Sequence, residues 1–342
     1  MRRCTYKFAT ARRVRQWAWP VAMGLVLAGA AGAQTLLDPP SGDCTKHFLS
    51  QTVAVDKYIF RAYRNPRTGG ACLEVEEQGL REKKVMGRMA VKLTGRGGGA
   101  VVFRRTLESF GEFTLGQAAH PEHDIPAVEN GADLTGRGRP DLIVTNWTGG
   151  AHCCFTHYVF ELEPQLRLVG QINDADGDLS HFARLGGDRE YSYLGNDWTF
   201  AYWDTSFLES PAPAVVLHFV DDARGGGFHL ALDKMQKPAP SEKQWKKAVQ
   251  EAKAAFAEHG SSADGVGSEL WSNMLDLIYT GHADLAWKLM DEAWPADRGD
   301  KEKVLSGFCT QLKTSPYWGD LQGTMQGAPE ACVSTKAPAT GE

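Results

Sequence analysis

Residues 133–158 read DLTGRGRPDLIVTNWTGGAHCCFTHY, and the order of residue types in this stretch decides the architecture. A turn bearing Asp133, Thr135, Gly136, Gly138 and Asp141 leads into Leu142-Ile143-Val144, an apolar run bounded by turn residues and too short for a helix. Gly149-Gly150 then precede two adjacent cysteines, Cys153 and Cys154. Outward from this point the same texture recurs. Strands are predicted at 53–63, 71–75, 85–93, 100–107, 141–146, 157–163, 166–172, 191–194, 198–204, 214–220 and 228–232, with Gly, Asn, Asp and Pro between them. Short strands at such spacing predict a mainly β, antiparallel, propeller-like body, open or incomplete, with a β-sandwich plus helices as the alternative. A faint echo at 58–93, 142–172 and 200–235, each a strand, a turn and a second strand, is what stacked four-stranded units produce. Divergent strands near 107–115 would add a further unit; without them the body is an open arc.

At Lys237-Pro238-Ala239-Pro240 the pattern changes. Ser241 with Gln244 forms a capping-box pair, and Trp245, Ala248, Val249, Ala252 and Phe256 share one helical face, with Gly260 as the expected stop. Three more helices carry Leu270, Met274, Leu277 and Ile278; Leu285, Ala286, Leu289, Met290 and Ala293; and Val304, Leu305, Phe308 and Leu312. The predicted division is a leader at 1–33, a lead-in at 34–44, a β domain at 45–237, a small helical domain at 241–320 and a loose tail at 321–342.

The leader expectation rests on six basic residues, an apolar run at 21–31 and Ala31-Gly32-Ala33, the pattern of a secretory signal peptide. That run is shorter than the roughly 20 residues a membrane span needs, so no span is expected after its removal. Without the leader the chain keeps 31 Lys and Arg against 42 Asp and Glu, a formal charge of −11. Such a balance argues against nucleic acid as a partner. It also leaves six cysteines, Cys44, Cys72, Cys153, Cys154, Cys309 and Cys332, an even number that suggests disulfides in a periplasmic or secreted protein. Proximity favours Cys44 with Cys72 and Cys309 with Cys332; Cys153 and Cys154 are then left to each other or to reduced states.

The turn at 133–141 resembles the FG-GAP/VCBS type of β-propeller repeat. In that family, side chains at the first, third, fifth and ninth positions hold a calcium ion, and the resemblance makes Asp133, Thr135 and Asp141 candidate ligands. A cation of this size takes about 6–8 oxygens, which a tight glycine-bearing loop can converge on one point. The fifth position departs from the pattern, because Arg137 stands there and a guanidinium repels a cation. The alternative expectation is that Arg137 replaces the ion and bridges Asp133 and Asp141. The family implies a ligand-binding or protein-interaction scaffold. Around Gly281, with Ala286 and Ala293, the helices are similar to a single tetratricopeptide hairpin.

A second acidic turn places Asp174, Asp176 and Asp178 at alternate positions, a weaker calcium candidate; no cofactor is otherwise required. His152, Cys153, Cys154 and His157 invite a metal reading, but strand geometry puts Cys153 and His157 on one face and His152 and Cys154 on the other. His120 and His123 are further candidate ligands. The aromatic run holding Tyr193, Trp198, Tyr202 and Trp203 is a candidate platform for a sugar or peptide. No nucleophile elbow, phosphate loop or H-E-x-x-H motif is present in the sequence. These features predict an exported non-catalytic binding or protein-interaction module for a protein or glycan, with a metal-dependent hydrolase using a His/Asp or His/Cys site as the alternative.

Overall fold

A computed structural model describes residues 40–79, 99–107, 110–150, 153–177, 179–222, 226–256 and 266–333. All of them belong to one folded unit, Gly32–Glu342. The expected leader, the strand expected at 85–93, and His152 and Asp178 lie outside the described residues.

The described strands form three antiparallel four-stranded sheets, each made of consecutive neighbours. Sheet 1 holds β1 (Phe48–Val55), β2 (Tyr58–Arg64), β3 (Ala71–Glu77) and β4 (Ala100–Leu107). Sheet 2 holds β5 (Glu112–Leu115), β6 (Asp141–Gly150), β7 (Cys153–Glu161) and β8 (Arg167–Asp174). Sheet 3 holds β9 (His181–Ala183), β10 (Ser192–Asn196), β11 (Ala214–Val220) and β12 (Gly227–Leu230).

Strand alternation explains how the sheets stack. Tyr58, Phe60 and Ala62 point inward from β2 and meet Leu142, Val144, Tyr158 and Phe160 of sheet 2. Ile143 and Val159, one residue out of step, face the opposite way into a second core shared with sheet 3 and the helices. Sheet 2 is therefore covered on both faces, the physical reason its central strand reads as an unbroken apolar run.

A repeated joint ties each sheet to the next. The Gln51 amide of β1 accepts the Leu115 N–H at 2.7 Å and donates to the Leu115 carbonyl at 2.8 Å, across 64 residues of sequence. Gln117, just after β5, accepts the Phe182 N–H at 2.8 Å and donates to the Phe182 carbonyl at 2.9 Å, across 65 residues. In both cases a glutamine side chain completes the outer hydrogen-bonding edge of the next sheet's first strand.

After sheet 3 come α1 (Leu232–Met235), α2 (Glu242–Ala255), α3 (Ser268–Tyr279), α4 (Ala283–Ala293), α5 (Lys301–Leu312), α6 (Trp318–Leu321) and α7 (Glu330–Val333). The Ser241–Gln244 capping box forms as the sequence predicts. Gly281, at φ +88°, turns the chain after α3, and the His282 N–H reaches the Leu277 carbonyl at 2.8 Å. Disulfides join Cys44 to Cys72 and Cys309 to Cys332, the pairs that proximity suggested.

Three segments differ from expectation. The strand expected at 53–63 is a hairpin: Asp56, at φ 51°, starts a two-residue turn that apolar residues on either side disguise. The strand expected at 198–204 is a series of turns, with Tyr202 and Asp204 left-handed at φ 57° and 55°. The tail expected to be loose is folded as far as it is described, with Leu321, Met325 and Cys332 buried.

Candidate functional site

The turn at 133–141 is held by its own backbone amides. Asp133 accepts the Arg137 N–H at 3.0 Å through one oxygen and the Gly138 N–H at 2.7 Å through the other. Asp141, buried at the start of β6, accepts the N–H groups of Leu134 and Thr135 at 2.8 and 3.1 Å and the Thr135 hydroxyl at 3.2 Å. Gly136 and Gly138, both at φ +72°, allow the chain to curl around the two carboxylates. Burial is the main force on Asp141 and lifts its carboxyl to about 7, against the opposing pull of the amides.

The Arg137 guanidinium does not bridge Asp133 and Asp141. It reaches Glu161 at 2.7 Å and Asp221 at 3.3 Å and lies 4.7 Å over the Phe219 ring. Glu161, fully buried at the end of β7, is also approached by Arg139 at 2.9 Å and Arg167 at 3.7 Å. Three guanidiniums around one buried carboxylate tie the turn to sheet 2, and Arg137 carries the connection on to the end of β11. Both oxygens of Asp133 and one of Asp141 accept backbone amides, the other Asp141 oxygen is buried with no hydrogen-bond partner among the described residues, and a guanidinium lies alongside. No group of three or more His, Cys, Asp or Glu able to hold a metal is found among the described residues. The melting temperature should accordingly be the same with and without EDTA; a fall on chelation that Asp133→Ala abolishes would show that the turn takes an ion.

In the second acidic turn Asp174 faces inward and Asp176 is half-buried. Asp174 is buried and accepts the Tyr193 hydroxyl at 2.5 Å. Burial raises its pKa, with hydrogen bonds from Ser180 and Tyr193 opposing and Asp176 adding to the rise. Close by in the fold, Asp197 accepts the hydroxyls of Ser315, at 2.6 Å, and Tyr279 through one oxygen. Its other oxygen takes the Thr199 N–H at 2.8 Å and the Thr199 hydroxyl at 2.5 Å. Burial and the charges of Asp197 and Asp174 push the Tyr317 phenol far above its usual range. Burial and the adjoining carboxylates likewise raise the Tyr193 and Tyr279 phenols, which stay protonated and donate to Asp174 and Asp197, so the cluster stitches sheet 3 to the helices. Asp197-x-Thr199 is an Asx-turn pattern legible in the sequence; the partners Tyr279, Ser315 and Tyr317 have no such local signal.

The histidines lie in different surroundings. His120 and His123 are exposed beside a short 3-10 turn, and His120 lies 3.4 Å from Glu122. His157 is buried on β7, shares a 3.0 Å hydrogen bond with the Thr145 hydroxyl, and packs with its ring 5.3 Å from that of Tyr193. Burial holds it down at about 4, which keeps the imidazole neutral. Cys154 is disulfide-bonded.

Of the four aromatic residues expected to form a platform, Tyr193 is fully buried in the sheet 3 core. Trp203 is half-buried, edge-on to Phe200 and Trp271. Trp198 is half-buried and Tyr202 exposed, and a residue not expected from the sequence joins them. Phe207 stacks on Trp198 at 5.4 Å with an 11° tilt, and the Tyr202 ring lies 5.4 Å from that of Phe207, tilted by 40°. Tyr202 is 58% exposed and the neighbouring Leu208 93% exposed. Polar bonds hold this loop in shape: the Tyr202 N–H donates to the Ser210 hydroxyl at 2.9 Å, and Thr205 and Ser206 each donate to Glu209 at 3.0 Å.

No helix among the described residues is long and apolar enough to cross a membrane. Comparison with protein-family models, with curated proteins and with solved structures finds no match to this chain.

Proposed function

We propose that this chain is an exported, non-catalytic binding module that recognises a protein or glycan through the loop at 198–210. The observation that carries the reading is the exposure of Tyr202, whose ring lies against Phe207, and of Leu208, the next residue after Phe207, on a loop braced by its own side-chain bonds. A large apolar surface held in one conformation loses little entropy when a partner covers it. The disulfides Cys44–Cys72 and Cys309–Cys332 suit an oxidising compartment. In the same proposal the three sheets are blades of an open, propeller-like arc. The meander order of each sheet and the repeated glutamine joint support this, as does the blade-like turn at 133–141.

Arrays of oligosaccharides and of unstructured peptides, probed with the purified protein, test the reading. Saturable binding to one class is expected, weakened about tenfold or more by Tyr202→Ala combined with Leu208→Ser, the scale of losing an anchor residue. Both residues are exposed, so the melting temperature should stay unchanged. Binding that the double substitution leaves intact would remove the loop from the reading, and no binding to either array would overturn it.

A further inference from the structure

Two histidines stand face to face on sheet 3. In the register of β11 and β12, His218 is directly opposite His229, with Leu217 opposite Leu230 and Phe219 opposite Phe228 on either side. Leu217 and Leu230 are buried in the core shared with sheet 2, and Phe219 and Phe228 pack against it. Strand alternation therefore sends both imidazoles to the other face of the sheet. Opposed side chains on antiparallel strands have their β-carbons about 4.5–5.5 Å apart, within the span of two imidazoles that meet at one point. Neither strand has a charged residue, so no cation of β11 or β12 stands beside the pair.

A carboxylate from the helices orients one of the two rings. Asp320 of α6 lies 2.9 Å from the His229 Nδ1 through one oxygen and accepts the Leu230 N–H at 3.0 Å through the other. An ionised carboxylate only accepts, so the proton of the neutral imidazole is held at Nδ1 and Nε2 keeps its lone pair. His218 makes no side-chain hydrogen bond to any described residue. The His229 side chain is 38% exposed and His218 is half-buried, which leaves the pair open to ions from solvent. Other histidines lack this combination. His157 is buried, and the rings of His181 and His282 are bonded to the carbonyls of Leu179 and Lys237. His120 and His123 are the rival pair, but the 3.4 Å contact of His120 with Glu122 is more than half exposed on both sides and does not hold the ring.

We infer that His218 and His229 form a binding site for a divalent transition-metal ion, copper(II) foremost, and that Asp320 is the residue that positions His229. Imidazole nitrogen suits copper, zinc and nickel, and copper(II) binds a given nitrogen site most strongly of the three. A carboxylate behind a ligating histidine fixes its tautomer and orientation and raises its basicity. Two imidazoles hold an ion reversibly and leave its remaining positions to water, so the purified chain carries the metal only when it is supplied. This inference is independent of the role proposed for the 198–210 loop.

Titration of the metal-free full chain with copper(II), followed by calorimetry and by the electron paramagnetic resonance of the bound ion, tests it. The expected result is one ion per chain, with a spectrum that shows two imidazole nitrogens. His218→Gln and His229→Gln should each raise the dissociation constant about tenfold or more and leave the signature of one imidazole. Asp320→Asn can still accept the Leu230 N–H but carries no charge, so it should weaken binding about tenfold while both nitrogens remain in the spectrum. Unchanged melting temperatures of the metal-free variants show which have folded, and either histidine variant suffices. A wild-type chain that takes up no copper would overturn the inference, as would wild-type affinity in a folded histidine variant, or binding lost in His120→Ala combined with His123→Ala. Unchanged affinity in Asp320→Asn would remove Asp320 from the site.

Discussion

Replacing Glu161 with alanine should lower the free energy of unfolding by about 3–5 kcal/mol, the usual cost of breaking a buried ion pair from one side. The carboxylate is fully buried and is the shared partner of Arg137, Arg139 and Arg167. Without it three guanidiniums face one another in a partly dehydrated space. The loss would be read as a fall in the urea midpoint with an unchanged slope. Glu161→Gln keeps the volume and removes only the charge, so it should recover the packing part of the loss and little of the electrostatic part. A change below about 1 kcal/mol in Glu161→Ala would show that water satisfies the arginines and that the cluster is not a joint.

Asp141 and His157 should give stability opposite dependences on pH. The Asp141 carboxyl is raised from 3.8 to about 7, so as pH rises the unfolded chain releases its proton first. The stability linked to the bound proton is complete below 3.8 and is lost as pH climbs through about 7. His157 is lowered from 6.5 to about 4, so its contribution is complete above 6.5 and is lost as pH falls towards 4. The shifts correspond to at most about 4 kcal/mol for Asp141 and about 3 kcal/mol for His157. Between pH 4 and 6.5 the two trends oppose each other. Asp141→Asn, which can still accept the amide hydrogens, should remove the alkaline loss and expose a steep fall in stability on acidification. His157→Gln should leave stability rising as pH falls through the same window. Urea midpoints measured across pH 4–7 decide the matter, and parallel profiles for the two variants would contradict the assignment of these slopes.

Much of the scaffold was legible before any coordinates. The strands at Ala100–Leu107 and Ala214–Val220 have the predicted limits, because β-branched and aromatic residues run between clear turn signals. Near Asp56 and near Tyr202 the reading failed for one reason. Both places turn through a left-handed residue other than glycine, and apolar neighbours make the segment look continuous.

The candidate sites were less legible than the scaffold. Asp133 and Asp141 were found as a pair, since both sit in one tight turn, yet the destination of the Arg137 side chain was not. Glu161 stands at the end of β7, opposite Asp141 only once β6 and β7 have paired, and Asp221 is 84 residues from Arg137. Tyr193 and Tyr202 stand in the same aromatic run, but one is sealed in the core and the other faces solvent.

By itself the sequence determined what local chemistry controls: where strands and helices begin, the turn built on Asp133 and Asp141, the capping box at Ser241 and the cysteines close enough to pair. Backbone preferences and side-chain periodicity act over a few residues, so one chain is enough to read them. Only the tertiary structure decided which groups meet across long separations. Ser315 reaches Asp197 over 118 residues, and Gln51 completes the edge at Leu115 across 64 residues. Those meetings depend on how sheets and helices stack, which burial of the shared apolar core sets for the chain as a whole.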